Sequence, residues 1–452
     1  MAFDLLRRVA VEDAYAADLL YGELGPGVKK ADASLATELT LGVLRWQRLL
    51  DFLLQGYLER PLEQLDLAVL LALRLGLYQL RYLDRVPPHA AINESVEIVK
   101  RARKSSAAGM VNAVLRRAAP EARIAAEKID KLLPAAASVE ERSGILYSHP
   151  TWLVARWIHS FGAERTVALL EANNRRAALT CAVLEEATDE RVAESLGNSG
   201  LETRPARWLR GALQIAGGNP ASTDAYLAGQ INFQDEASQM VAHVVDAREG
   251  QTILDVCAAP GGKTTLLARA AGAWGRVIAG DIHEHRLRSI QQQLKRMRIR
   301  NVELVAFDAM RTLPFSRGFD RVLMDAPCSG TGTLARNPEI RWRLRPEDLQ
   351  QAHRSQVAML RNALTAAGKT GRVVYSTCSL EPEENERVVA EALAEARQWR
   401  AVSARETLAA HLQEPAAADK FFGADGFFRT FPPEHGTDGF FAAVLARGDG
   451  PR

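Results

Sequence analysis

The sequence predicts a multidomain chain: an all-α amino-terminal domain, a small α/β connecting subdomain and a carboxy-terminal α/β domain of the doubly wound, Rossmann-like class. Three observations predict it. Up to about residue 130 the apolar residues recur three and four apart with few β-branched runs, as helices that bury one face require. From about Phe233 onward, short apolar runs alternate with amphipathic stretches, the pattern of a sheet wound with helices on both faces. Between them lie short strand patterns and one charged helical stretch, enough for a small α/β unit.

In the first part, LLRRVAVEDAYAADLL, LTLGVLRWQRLLDFLLQGYL and LAVLLALRLGLYQLRYL read as helices, separated by breakers at Gly25-Pro26-Gly27 and Pro87-Pro88. LPAAASVEERSG reads as a linker and places a boundary near 140. SHPTWLVARWIHSFG opens with a serine cap and a proline in the first turn of a helix. ALTCAVLEEA, ALQIAG and QINFQ then supply the connecting subdomain, assigned to 144–232. In the last domain, 233–452, the expected strands are TILDVCA, RVIAGDI, VELVAFDA, RVLMDAP, GRVVYSTCS and DGFFAAVLAR. The Pro and Gly interruption in FFRTFPPEHGTDGFFAAVLA suggests an antiparallel hairpin at the sheet edge.

Bulk properties exclude several classes. The longest apolar run carries Arg74 in its middle and falls short of the roughly 20 apolar residues of a membrane span. The amino terminus mixes acids and bases and lacks a secretory core, so a cytoplasmic protein is expected. The four cysteines, at 181, 257, 328 and 378, form no CxxC pair, so neither a structural metal nor a disulfide framework is expected. A net charge of +2 is too small to identify an anionic partner. Basic residues do cluster in KRARKSS and in HRLRSIQQQLKRMRIR, which taken alone read as solvated helix faces.

The residues that carry chemistry lie at expected strand ends. Cys328 and Cys378 each end an apolar run, and two thiols facing the crevice of a parallel sheet suggest covalent catalysis. TILDV runs into CAAPGGKTT, where a glycine pair lets the backbone approach a ligand at a helix amino terminus. A phosphate-cradling ATPase loop would need glycine at the position of Cys257, and Ala258 to Lys263 lack the dinucleotide spacing. A nucleoside-type ligand remains. Asp281 ends RVIAGDI where a carboxylate accepts from ribose hydroxyls, and Asp308 ends VELVAFDA where one can accept from an adenine amine. Each aspartate alone could be a helix cap; together with the loop they point to S-adenosylmethionine.

At these residues the chain resembles the RNA cytosine-5 methyltransferases of the NOL/NOP/Sun group. DVCAAPGGKTT, GDIHEHRL, FDAM, MDAPCSGTGTL with NPEIRW, and YSTCSLEPEENE are similar to that family's successive motifs, in its order. GVLRWQRLLDFLL, LGLYQLRYLDRVPPHAAINESVEIVK and GMVNAVLRR resemble a NusB-like RNA-binding domain, expected over 1–140. That pairing is the mark of the branch that methylates bacterial 16S ribosomal RNA, the RsmB type. The resemblance implies 16S ribosomal RNA as partner and a cofactor site made by Cys257, Ala258, Ala259, Pro260, Gly261, Gly262 and Lys263 with Asp281, Arg286, Asp308 and Asp325. It implies Cys378 as the nucleophile and Cys328 as the group that helps release product. A monomer is expected.

The chemistry explains the assignment. Cytosine C5 attacks a methylsulfonium too slowly unless a thiolate first adds to C6. Addition pushes electron density toward the N3 edge, where Asp325 can donate or hydrogen-bond, with Lys263 favouring the anions. Cys181 reads as inert, Cys257 as a backbone contributor to the cofactor loop rather than a nucleophile, His283 and His285 as exposed helix residues rather than metal ligands, and EPEENE as a helix start. The sequence departs from the family in NNRRAALTCAVL, which lacks the paired prolines, and at Arg341, where lysine is usual. Two rivals stay open: the same chemistry on transfer RNA or another ribosomal site, and a non-catalytic RNA-binding or assembly factor.

Overall fold

The computed structural model describes residues 1–448 apart from 13, 24–26, 185–188 and 317. Gly25 and Pro26 of the first expected breaker, and residues 185–187 of ALTCAVLEEA, therefore lie outside the described residues. Packing divides the chain into two units: Met1–Arg176 with Leu334–Leu344, and Ala177–Thr333 with Arg345–Arg452.

The first unit is helical. Its long helix Lys30–Gln55 packs against Leu67–Tyr82, whose residues from Leu71 to Leu80 are all buried. Each leucine so removed from water contributes about 2 kcal/mol. Arg74, in the middle of that run, is held in a two-pronged ion pair by Asp51 of the neighbouring helix, both N···O distances being 2.7 Å. Asp66 caps the helix by accepting from the Ala68 amide. The segment LLRRVAVEDAYAADLL forms two helices, Ala2–Glu12 and Ala16–Glu23, rather than one.

Two local expectations are corrected here. The expected linker LPAAASVEERSG contains a helix, Val139–Leu146, whose amino end is capped by Ser138 and carries Glu140 and Glu141 in its first turn. Ser148 does not cap the next helix, Thr151–Phe161, which starts behind Pro150. Ser148 instead adopts φ +56° and its hydroxyl accepts from the Arg48 amide at 2.9 Å.

That unusual turn serves Arg341. The segment Leu334–Leu344 lies in the helical unit, and the Arg341 guanidinium is fully buried there. It donates to the carbonyls of Ser148 at 3.0 Å, Asn173 at 3.2 Å and Leu334 at 3.3 Å, and to Asn174 Oδ1 at 2.9 Å. Burial lowers its pKa well below the usual arginine value, followed by the nearby charge of Arg45. A planar fork suits these divergent acceptors as a lysine ammonium does not.

The second unit contains two sheets. The smaller comprises β1 (Leu179–Val183), β2 (Glu202–Pro205), β3 (Ala212–Ala216) and β4 (Ile231–Phe233), in the antiparallel order β2-β3-β1-β4. Cys181, Val192, Leu196, Leu213, Ile215 and Ile231 form its core. β2 was not expected; ETRP is polar on both faces and its residues are largely exposed.

The larger sheet is built from β5 (Thr252–Asp255), β6 (Arg276–Asp281), β7 (Val302–Ala306), β8 (Phe319–Asp325), β9 (Ala367–Thr377), β10 (Trp399–Val402), β11 (Phe428–Arg429) and β12 (Phe441–Arg447). Its order is β10-β12-β9-β8-β5-β6-β7, with β11 paired to β12. β9 to β7 are parallel, and β12 is antiparallel to β9. Successive residues serve opposite faces. Ile253, Leu323 and Val374 pack with Met240, Val241 and Leu267, whereas Leu254, Val322, Val373 and Tyr375 pack with Val357, Leu360 and Val388. Burial on both faces is why these strands read as continuous apolar runs. The antiparallel hairpin expected in FFRTFPPEHGTDGFFAAVLA is present as β11 paired with β12, but its place at the sheet edge is corrected: β12 is interior, with β10 as the edge beyond it. Strand order reverses between β5 and β8, so the crevice at their carboxyl ends is the ligand position of a doubly wound sheet.

The Arg341 site sets an expected outcome in chemical denaturation. Arg341→Lys should lower the unfolding free energy by about 1–3 kcal/mol, because several buried carbonyls lose their donor, and Arg341→Ala should lower it further. Parental stability of the lysine variant would contradict the fork geometry.

Candidate active site

Everything gathered at the β5/β8 crevice hangs from strand ends. β5 ends at Asp255, the loop follows, and the helix Gly262–Ala271 begins behind Gly261. Gly261 has φ +101°, a backbone open to glycine and strained for other residues. Its amide donates to the Ala258 carbonyl at 2.7 Å, and the Ala258 amide donates to Gly280 of β6 at 2.8 Å. The loop Cys257 to Lys263 is thus pinned to the neighbouring strand, with helix amides facing the crevice.

Asp255 is fully buried. Thr264 donates to its Oδ2 at 2.7 Å, while Oδ1 has no protein partner. Desolvation raises its pKa to about 7, partly opposed by the Thr264 hydrogen bond. Asp281 ends β6, is 7 % exposed, and accepts from the His283 amide at 2.8 Å. Asp308 stands two residues beyond the end of β7 and accepts from the Met310 amide at 2.9 Å. Beside these two aspartates, Ile282 is 58 % and Met310 49 % exposed, an apolar surface that sequence reading missed. The signal was there: an apolar residue directly after the strand-end acid, and another shortly after Asp308. Arg286 lies exposed on the first turn of Glu284–Arg296, and no side-chain contact joins it to this group.

Asp325 ends β8 and is held from both sides. Lys263 Nζ lies 2.6 Å from its Oδ2, and Ser376, its register partner on β9, donates to Oδ1 at 2.7 Å. The Lys263 ammonium also sits 4.8 Å above the Phe440 ring. The carboxylate therefore has a fixed orientation and a balancing charge.

The two cysteines meet. Cys328 Sγ and Cys378 Sγ are 3.4 Å apart, a hydrogen-bond distance, and both thiols are free. The hydrogen bond to Cys378, then desolvation, raises the Cys328 pKa well above the ordinary thiol value. The raised value favours the protonated form of Cys328, and at this distance either sulfur can serve as donor. Burial also raises the Cys257 thiol, and pushes that of Cys181 up to about 12. Neither is a nucleophile at neutral pH.

Glu384 organises the loops. Its Oε1 accepts from the Ser329 amide at 2.8 Å and Gln356 Nε2 at 3.1 Å; its Oε2 accepts from the hydroxyls of Ser379, at 2.5 Å, and Ser329. Gly332, on the first of these loops, donates to the Cys378 carbonyl at 2.9 Å, and a Cβ there would lie 2.1 Å from the Gly439 carbonyl oxygen. The reading of EPEENE as a helix start is corrected for most of the run. The helix is Glu386–Glu395, so Glu386 lies in its first turn, while Glu381 and Glu384 are buried ahead of it. Ser329, Ser376 and Ser379 were likewise not singled out; a serine directly after each cysteine was the available clue.

Among the described residues, no group of three His, Cys, Asp or Glu side chains converges as a metal site, and no helix is long and apolar enough to cross a membrane. The donor set fits S-adenosylmethionine: strand-end carboxylates for a diol and an amine, an apolar surface between them, and a buried carboxylate oxygen without a partner at Asp255.

The chain is similar to known proteins in all three parts of its length. Residues 242–446 match the family model "16S rRNA methyltransferase RsmB/F", residues 1–120 the NusB family, and residues 149–222 the ferredoxin-like domain of RsmF/B-like methyltransferases. The chain is 32% identical to the Synechocystis protein named "Probable ribosomal RNA small subunit methyltransferase B", over 99% of this chain and 98% of that one. It is also 32% identical to the Pseudomonas putida ribosomal RNA small subunit methyltransferase B, over 93% and 92%. Among solved structures it is similar to PH0851, with a TM-score of 0.78, 26% identity and coverage of 93% and 92%.

The Asp255 environment has a measurable consequence. Its folded pKa lies above the unfolded value, so its contribution to stability is full below about pH 4 and is lost as pH rises toward about 7. The stability of the parent relative to Asp255→Asn should therefore fall across that window in urea denaturation. A difference independent of pH would contradict the buried, desolvated setting.

Proposed function

The chain belongs to the RsmB/F family of small-subunit ribosomal RNA methyltransferases, and we propose that it methylates C5 of a cytosine in 16S ribosomal RNA through a covalent bond between Cys378 Sγ and C6. The observation that carries this reading is the meeting of the Cys378 and Cys328 sulfurs at 3.4 Å, on the same strand ends as the Lys263-paired Asp325. S-adenosylmethionine, the cofactor of this family, supplies an electrophilic methyl group when bound. Cys257 to Lys263, Asp281 and Asp308 would hold it. The exposed Ile282 and Met310 offer its adenine an apolar surface. Arg286 is close enough in sequence to Asp281 to join this set when ligand is present.

The Cys378 thiolate adds to C6 and the electron density moves toward C5 and N3. Asp325, held by Lys263 and Ser376, relays a proton from the Lys263 ammonium to the N3 edge as that charge develops, so that its carboxyl donates to N3 and the adduct is left without an uncompensated negative charge. Once C5 carries the methyl group, its proton must leave and the C6–S bond must break. Cys328 serves both events: its S–H proton passes to the departing Cys378 sulfur, and the Cys328 thiolate so formed takes the C5 proton. Both cysteines end as thiols, and Cys378 loses its proton to solvent before the next cycle.

The helical unit carries the NusB match and would dock folded RNA. Of the two basic runs, KRARKSS is partly neutralised, Lys100 by Glu97 and Lys104 by Asp66. The second ends in Arg298 and Arg300, which line an open cleft of about 1110 Å³ with Arg191, Arg269 and Arg276 and suit phosphate contacts. A non-catalytic assembly role would give the paired thiols and the Lys263–Asp325 pair no use. The NusB match favours 16S ribosomal RNA over transfer RNA as the substrate.

The test uses radiolabelled S-adenosylmethionine and 16S ribosomal RNA. Cys378→Ala should lose methylation by a factor of about 10³ or more, as removal of a covalent nucleophile does. Cys328→Ala should accumulate a protein–RNA adduct stable on a denaturing gel. Full methylation by Cys378→Ala, or an adduct formed by that variant, would overturn the assignment.

A further inference from the structure

The mechanism leaves unused a buried ionisable group that bonds the loops of both cysteines. Glu384 is 0 % exposed, takes four hydrogen bonds, and has no cationic partner among them. Its placement relative to the sequence is specific: Ser329 follows Cys328, Ser379 follows Cys378, and both hydroxyls donate to the same oxygen, Oε2. The two Cys-Ser dipeptides come from different strand ends, β8 and β9, and the carboxylate closes them into one clamp.

Further bonds keep that carboxylate in place. The Tyr375 hydroxyl donates to the Glu384 carbonyl at 2.5 Å. Asn385, the next residue, accepts from Thr377 at 2.5 Å and donates to the Ser379 carbonyl at 2.9 Å. Glu384 is therefore braced from the strand that carries Cys378 and from the loop that follows it. Such bracing exceeds what capping a helix requires, because the helix starts only at Glu386.

We propose that Glu384 is a positioning residue: by clamping the serines behind both cysteines it fixes the thiol spacing and sets the charge that the pair faces. The assignment rests on the two-cysteine reading above and deepens it. A buried anion beside two thiols disfavours a second negative charge in the same space. Glu384 is among the groups that raise the Cys328 pKa, after the hydrogen bond to Cys378, burial, and the charge of Cys378. The other ionisable groups around the clamp are Glu381, buried on the same loop with its amide donating to the Ser379 hydroxyl, Asp325 with its partner Lys263, Cys257, and Tyr375, whose pKa is raised by burial so that it stays neutral. The division of labour between two otherwise similar thiols then has a physical origin in a third residue.

The experiment reads the thiols directly and needs neither RNA nor methyl transfer, so its failure is separate from failure of the methylation reading. Alkylation of Cys328 by iodoacetamide is followed against pH in the full-length protein, with each cysteine quantified by peptide mass spectrometry. Glu384→Gln keeps the shape and removes the charge. Its Cys328 midpoint should fall by about one pH unit, equivalent to about tenfold faster alkylation at a fixed pH below the midpoint. Glu384→Ala removes the clamp as well. Loss of charge alone would speed diamide-driven Cys328–Cys378 disulfide formation, because more thiolate is present. A slower disulfide in Glu384→Ala than in Glu384→Gln therefore reports lost spacing. The proposal is overturned if Cys328 of Glu384→Gln titrates at the wild-type pH, or if Glu384→Ala forms the disulfide as fast as Glu384→Gln, which lacks the same charge but keeps the clamp. Should Glu384→Ala not fold, the Glu384→Gln titration still decides.

Discussion

The buried carboxylate of Glu384 is the constraint on which the reactive geometry depends. It gathers one donor set from the loop after β8 and another from the loop after β9, and the two sulfurs meet at 3.4 Å as a result. A carboxylate with no exposure loses its hydration and must recover it through hydrogen bonds. Four donors do so, and in satisfying it they order both loops. Asp325 is governed by the same rule on a smaller scale, its two oxygens shared between Lys263 and Ser376. The site is thus a pair of anions, each with a fixed set of donors, flanking one thiol that retains its proton.

The sheet places these groups together. Reversal of strand order between β5 and β8 opens the crevice. β5 contributes the glycine-bearing loop, β6 contributes Asp281, and the segment after β7 contributes Asp308. β8 contributes Asp325 and Cys328, and β9 contributes Ser376 and Cys378. Asp325 and Ser376 are 51 residues apart in sequence, yet parallel registration brings them directly opposite each other. The chemistry follows from strand order.

What could be read from the chain and what could not divide along physical lines. Of the five parallel strands, β5, β6, β8 and β9 stood out because burial leaves almost continuous apolar runs, and RVLMDAP or GRVVYSTCS can hardly be anything else; β7, a half-exposed edge strand, was read from the apolar residues of VELVA. β10 and β2 did not, since edge strands with exposed polar faces carry no such signature. The helix Val139–Leu146 hid behind alanines and a proline although its serine cap and two acids were present. Ser148 misled because a serine before a proline suits a cap, and only the tertiary structure shows that its positive φ serves Arg341. In the site, residues identified by position in a strand were legible, namely Asp281, Asp325, Cys328 and Cys378. Residues identified by partnership across space were not: Ser376, Ser379 and Glu384 declare themselves only when their acceptors and donors are seen.

The central claim is that Cys378 and not Cys328 bonds to the base. Its most direct test is a 16S ribosomal RNA transcript carrying 5-fluorocytidine, whose C5 fluorine cannot leave as a proton does, so that the adduct persists once methyl transfer has occurred. After nuclease and protease digestion, the peptide bearing the crosslinked nucleotide is sequenced by mass spectrometry. The account places the nucleotide on Cys378 in the wild-type protein. A nucleotide found on Cys328 would contradict it.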